Sequence, residues 1–227
     1  MPYLLLILLL LLLALIPQWW VKQTLARHHR RDEPNFPGTG GELARHLLDR
    51  FGLQEVKVET TETGDHYDPS ARCVRLTEDK YHGRSLTSIT VAAHECGHAL
   101  QHARGEPLFA LRSRLAGSAV WASRIGALLL YAAPLLTLIH RAPPVTVIQM
   151  LGAFLIMGFA VLIQLVTLPV ELDASFNKAL PLLESGYLDE RQKHPARRIL
   201  RAAAFTYVAA AMASLINVWR WLTLLRR

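Results

Sequence analysis

The chain has 227 residues, is 52% hydrophobic and 19% charged, and carries a formal net charge of +7. That length suits one or two domains. The basic surplus does not mark a nucleic-acid binder, because the basic residues cluster beside apolar runs, as membrane-flanking charges do, and no basic stretch is interleaved with aromatics. Two cysteines, Cys73 and Cys96, exclude a disulfide framework.

In chain order, residues 1–21 predict an N-terminal transmembrane anchor. Tyr3 to Ile16 is almost unbroken leucine and ends at Pro17, Trp19 and Trp20. With its flanks it is about 19–20 residues long, enough to cross a bilayer, and the two tryptophans suit the interface belt. A cleaved signal peptide fits less well. Met1-Pro2-Tyr3 has no side-chain charge and Ala14-Leu15-Ile16-Pro17 is a poor cleavage site.

Residues 22–115 are expected to form a zinc-binding catalytic domain. A basic flank (Lys22, Arg27, Arg30, Arg31) and a linker around Pro34 and Pro37 lead to Thr39-Gly40-Gly41-Glu42, a capping box. Leu43, Leu47, Leu48 and Phe51 make a helical stripe that Gly52 closes. Gln54 to Thr60 alternates like a strand. Asp65–Asp68 and Arg72–Leu76 read as a hairpin across Asp68-Pro69-Ser70-Ala71, with Pro69 at the second position of a type I turn. Such a strand pair is either an edge for an extended peptide or a plain packing sheet.

The informative stretch follows. Within an apolar helical run of about 86–104, N-capped by Ser85 and stopped by Gly105, stands His94-Glu95-Cys96-Gly97-His98. Residues four apart share a helix face, so His94 and His98 can aim two imidazole nitrogens at one cation. Glu95 then lies beside the cation, placed to take a proton from an activated water. An ordinary solvated His/Glu face is the competing reading. The apolar flanks argue against it, since buried His and Glu without a partner are costly. Cys96 is read as a small buried residue.

Beyond it, 116–168 predicts a transmembrane hairpin (about 118–139 and 145–168), 169–201 a cytoplasmic helical segment, and 202–227 a C-terminal transmembrane helix with a basic tail. Arg124, near the start of the second span, is read as reaching for the interface or facing protein. Segment 22–115 carries 14 Lys+Arg and segment 170–201 carries 6. The positive-inside rule therefore places both in the cytoplasm.

Two histidines leave zinc short of the three protein ligands of a catalytic site. Glu171 and Asp173 emerge where the third span ends, a costly place for carboxylates without a role. Two positions apart on a helix, they point to different sides. Glu171 is the expected ligand, with Asp173 holding a histidine N–H from outside. His102 lies about 12 Å along the helix from His94, too far for both to bind one ion. It is left as a supporting or surface residue.

Asp65-His66-Tyr67-Asp68-Pro69, Val74-Arg75-Leu76, Ala92 to His102 and Leu168 to Ser175 together resemble the YugP-type bacterial membrane zinc metallopeptidases, over about residues 40–215. The resemblance implies a zinc peptidase without supplying a substrate. A looser resemblance is to the HtpX and CAAX-prenyl-protease group, whose third ligand lies in an E-x-x-A-D motif. Glu171 and Ala174 match it, and Ser175 replaces the final Asp. Asp173 is then the candidate to orient a histidine.

The reading is a mainly α membrane protein of about four transmembrane helices with a small α+β zincin-like cytoplasmic domain. It sits multi-pass in the inner (plasma) membrane, with its active site on the cytoplasmic face. One zinc ion is held by His94, His98 and Glu171, and Glu95 acts as general base on a peptide or protein substrate, membrane proteins included. By residue type His66, Tyr67, Tyr81 and His82 are candidates to stabilise the oxyanion. The alternative function is a catalytically silent metal-binding membrane protein that docks partners.

Overall fold

The computed structural model describes residues 36–118 and 162–205, with isolated positions 23, 121, 124, 125, 128, 152, 159 and 208. Helix α1 (Gly40–Arg50) starts at the capping box. The Glu42 N–H donates to Thr39 Oγ1 at 3.2 Å, and the Thr39 N–H donates to Glu42 Oε2 at 2.8 Å. Its inward face is Leu43, Ala44, Leu47 and Leu48. Gly52, at φ +73°, supplies the left-handed turn that ends it.

Strands β1 (Lys57–Thr61), β2 (His66–Asp68) and β3 (Cys73–Thr77) form a sheet of order β1-β3-β2. β2 and β3 make the expected antiparallel hairpin, with Tyr67 opposite Val74. β1 starts three residues later than its alternation suggested and lies parallel to β3, Lys57 opposite Cys73. Val56, just before β1, is buried.

Asp68 organises the hairpin turn. Its Oδ1 accepts from the N–H groups of Ser70 and Ala71 at 2.9 and 3.1 Å, and its Oδ2 takes Arg75 at 2.6 Å. These bonds, the one from Ala71 above all, hold its carboxyl below the usual range despite some burial. A carboxyl depressed on folding adds stability above its unfolded pKa of about 3.9 and loses it as pH falls through the lower folded value. Asp68→Asn should therefore flatten the acid limb of a stability profile, measured by urea unfolding below about pH 4. An unchanged limb would show that the charge does nothing for the turn.

The short helix α2 (Glu78–Tyr81) leads to α3 (Leu86–Ala103), the H-E-x-x-H helix. Its Ser85 N-cap accepts from the Ser88 N–H. Helix α4 covers 107–118. After the break in the described chain, α5 (162–172) runs into a π-helical stretch (Asp173–Ala179), then α6 (Leu180–Glu184) and α7 (190–205). One core joins these parts. Leu47 and Leu48 of α1, Val74 and Leu76 of β3, Leu183 of α6 and Ile199 and Leu200 of α7 are almost fully buried, around Ile89, Ala92, Ala93 and Ala99 of α3. Helix α3 is thus covered on nearly every side, as its all-round apolar flanks predict.

Gly97 permits the closest approach. A Cβ there would stand 2.8 Å from the Ala174 carbonyl oxygen. The backbone of the π-helical stretch therefore lies directly on α3 at the middle of the His94–His98 turn.

The expected fold class is corrected. No helix among the described residues is long and apolar enough to cross a membrane. What they form is mainly helical with a small three-stranded sheet, so four transmembrane helices are not supported. Within the described residues apolar character is interrupted by charge: α5 leads into the buried Glu171, and α7 carries Lys193, Arg197, Arg198 and Arg201. The segments expected as spans, 1–21, 118–139, 145–168 and 202–222, otherwise lie outside the described residues.

Candidate metal centre

The helical period of α3 places His94 and His98 one turn apart, with ring centroids 4.7 Å from each other and planes at 79°. Glu171 arrives from the last turn of α5, where the chain is about to widen into the π-helical stretch. Its Oε2 lies 3.1 Å from His94 Nε2 and 3.3 Å from His98 Nε2. The three donor atoms lie within 4.8 Å of one another, and the residues are 6%, 4% and 1% exposed. Among the described residues this is the one group of three or more His, Cys, Asp or Glu so arranged.

The donor set fits zinc, which takes imidazole nitrogen and carboxylate oxygen. One carboxylate oxygen faces two ring nitrogens, while the other, Oε1, is buried and without an aligned hydrogen bond. Arg112 of α4 brings Nη2 to 3.0 Å from that Oε1, a charge contact rather than a directed hydrogen bond. A divalent cation at the point where the lone pairs converge satisfies them together.

Electrostatics agree with this picture. Burial alone would raise the Glu171 pKa, but the charges of His98 and His94 and hydrogen bonds from both rings outweigh it and hold the carboxyl far below the usual range. Burial alone would lower the pKa of His94, and the Glu171 hydrogen bond with the charges of Glu95 and Glu171 outweighs it. The pocket thus holds Glu171 as a carboxylate facing positive charge. Glu95 is 6% exposed, beside His94 on the same helix.

Partners on the far side of each ring hold the histidines. His98 Nδ1 lies 2.9 Å from Gln101 Oε1, and His94 Nδ1 lies 3.1 Å from Ser175 Oγ. Ser175 stands where the E-x-x-A-D pattern has Asp. Asp173 is not among the converging donors. Its carboxylate accepts from Gln101 Nε2 at 2.8 Å and Asn177 Nδ2 at 2.9 Å and pairs with Lys178. Burial would raise its pKa, but Lys178, Asn177 and Gln101 lower it to about 2. Asp173 therefore reaches His98 through Gln101 rather than by touching a ring.

The remaining candidates stand elsewhere. The Tyr67 hydroxyl bonds His102 Nδ1 at 2.9 Å, and burial pushes its pKa up to about 12. His102 also stacks on Phe109, which tilts against His98. His66 Nδ1 bonds the Gly64 carbonyl at 2.7 Å. Tyr81 packs edge-on to His82, which pairs with Glu78. Cys96 is buried against the Ala44 carbonyl, and burial pushes its thiol pKa up. Sequence reasoning missed Gln101, Ser175 and Arg112. Gln101 was findable as the residue three beyond His98 on the same face, and Ser175 from its place in the motif. Arg112 carried no local signal, because its partner lies on a different helix.

Comparison with known proteins agrees with this centre. The chain matches, over residues 3–226, the family described as "Putative neutral zinc metallopeptidase". It is 39% identical over 186 residues to the "Putative membrane protease YugP" of Bacillus subtilis (strain 168), which covers 81% of this chain and 79% of that relative. No solved structure matches it. The family's cofactor is zinc, and His94, His98 and Glu171 offer a place for one ion. With a match that runs almost from end to end, the chain belongs to this neutral zinc metallopeptidase family.

Proposed function

We propose that this chain is a zinc-dependent endopeptidase that uses Glu95 as its general base. The observation that supports this most is the convergence of His94, His98 and Glu171 on one buried point with Glu95 next to His94 on the same helix. Zinc held there supplies a Lewis acid that polarises a peptide carbonyl and makes water acidic near neutral pH. His94 and His98 present neutral nitrogens to it, held from behind by Ser175 and Gln101. Arg112 offsets the charge on the outer oxygen of Glu171. Glu95 accepts the proton of the attacking water and returns it to the leaving amine. A site serving structure alone has no need of this second carboxylate, which weighs against a catalytically silent metal protein.

The substrate is a peptide or protein. The reading places the protein at a membrane, with the metal centre on the cytoplasmic face. The relative's printed name supports this, as do the basic residues of 22–115 and 170–201. The exposed apolar side chains Leu108, Leu111, Trp121, Ile125, Leu128, Leu162 and Leu165 support it too.

The test compares wild type with Glu95→Gln in zinc content and in cleavage of a loosely folded protein. Zinc content should match, and turnover should fall by roughly 10²–10⁴-fold, the usual contribution of a general base. Equal zinc with equal cleavage would remove Glu95 from the mechanism.

A further inference from the structure

We propose that Gln101 is the positioning residue of this centre. Its buried amide sets the tautomer of His98 and ties the backbone beside Glu171 to α3. The inference rests on the zinc-centre reading above. Gln101 is 1% exposed, and three groups surround its amide. Val170 O and Asp173 Oδ2 lie 2.9 and 2.8 Å from Nε2, and His98 Nδ1 lies 2.9 Å from Oε1. The two ends of an amide are told apart by their partners. A backbone carbonyl only accepts, and so does a carboxylate paired with Lys178. Both must face the NH₂ end. A reversed amide would oppose its oxygen to two acceptors.

The oxygen end is therefore committed to His98, whose Nδ1 must carry a proton. In the neutral ring that a metal ligand requires, Nε2 then keeps its lone pair, aimed at the point shared with His94 and Glu171. His94 has no such lock. Its Nδ1 meets the Ser175 hydroxyl, which donates or accepts equally well. Directional control of the pair thus enters through Gln101. The same amide bonds Val170, the residue before Glu171, so one side chain registers ligands from two separate helices. Lys178 extends the arrangement by pairing with both Asp173 and Glu106, the latter at 2.9 Å, which keeps Asp173 under the amide.

The test uses the full chain as wild type, Gln101→Leu and Gln101→Glu. Leucine neither accepts nor donates. Glutamate accepts from His98 but cannot donate to Val170. Each protein is stripped of metal and titrated with zinc against a competing chelator. Its metal-free melting temperature is recorded, and the His98 Nδ1–H signal is followed by NMR in zinc-loaded protein with labelled histidine. Zinc affinity should fall by about 10- to 100-fold in both variants, as for loss of a group that holds a metal-bound histidine. The Nδ1–H signal should persist with Glu and shift or exchange away with Leu.

Unchanged affinity in either variant overturns the proposal. So does a loss of affinity in Gln101→Leu matched by a lower metal-free melting temperature with an unaltered His98 signal, since Gln101 would then serve the fold alone. Should Gln101→Leu not fold, Asp173→Asn reads the same lock from beneath. It removes one of the two acceptors that orient the amide and leaves Val170 alone to hold it, so the signal and affinity should both weaken, and an unaltered signal and affinity would again overturn the idea. Wild type that takes up no zinc sinks the metal-centre reading itself, whereas zinc-loaded wild type beside indifferent variants sinks only the role of Gln101.

Discussion

Glu171→Ala should yield a folded chain that no longer retains zinc through purification. The carboxylate is one of three converging donors, and two imidazoles from a single helix turn cannot replace it. Zinc affinity should fall by more than the roughly 10- to 100-fold expected when only a supporting hydrogen bond is lost, and Asp173→Ala should fall within that smaller range. Metal analysis and chelator competition measure both. The fold should survive for a local reason. Removing one member of a buried charge cluster costs about 3–5 kcal/mol when its partners are stranded, but Arg112 keeps 24% of its side chain in solvent and is not stranded. What the variant loses is the stabilisation linked to zinc, about 2.7 kcal/mol at a free zinc level 100 times the dissociation constant. Wild-type melting temperature should thus rise with added zinc, and that of the variant should not. Equal zinc content in the two proteins would remove Glu171 from the centre.

The second large effect is expected from a residue that touches no metal. Gly97→Ala adds a single methyl group 2.8 Å from the Ala174 carbonyl oxygen and 3.4 Å from that residue's Cα and carbonyl carbon. These are backbone atoms, so the π-helical stretch must move away from α3, and Glu171, three residues before Ala174, moves with it. Two terms oppose each other in stability. Overpacking costs typically about 1–3 kcal/mol, and alanine in place of glycine inside a helix returns about 0.8–1.0 kcal/mol. The net loss of stability should therefore be modest. Activity should suffer more, because a misplacement of about 1 Å can cost about 10²-fold. The expected pattern is a small drop in urea midpoint with a large drop in zinc affinity and turnover. Gly117→Ala is the control, since a Cβ there meets nothing within 4 Å among the described residues. It should leave zinc and activity alone. A Gly97→Ala protein with full activity would show that the helix contact does not set the ligand geometry.

Several features of this protein were readable from the chain because they are local. The capping box at Thr39 and Glu42, the apolar stripe of α1, the Asp68 turn and the face shared by His94 and His98 all follow from spacings of two to five residues. Backbone geometry enforces such spacings wherever a helix or hairpin forms. The residue types in the motif also pointed to a metal, since two imidazoles four apart on a buried helix with an adjacent carboxylate suit a zinc hydrolase site.

Tertiary structure decided the rest. A strand's alternation says nothing about its partner, so the parallel pairing of β1 with β3 came only with the packed sheet. Glu171 and Asp173 sit two residues apart in the chain. It took the Gly97–Ala174 contact and the widened turn after Glu171 to send the first toward the histidines and the second toward Gln101 and Lys178. Gln101 reaches Val170 and Asp173, and Arg112 reaches Glu171, across helix boundaries, at separations no periodicity encodes. The expectation of four spans rested on hydropathy, interfacial tryptophans and flanking charge, which describe composition along the chain and not how the described helices pack into one core around α3. Periodicity acts through bonds along one element, whereas the choice among neighbouring carboxylates depends on which surfaces of separate elements can approach closely enough to touch.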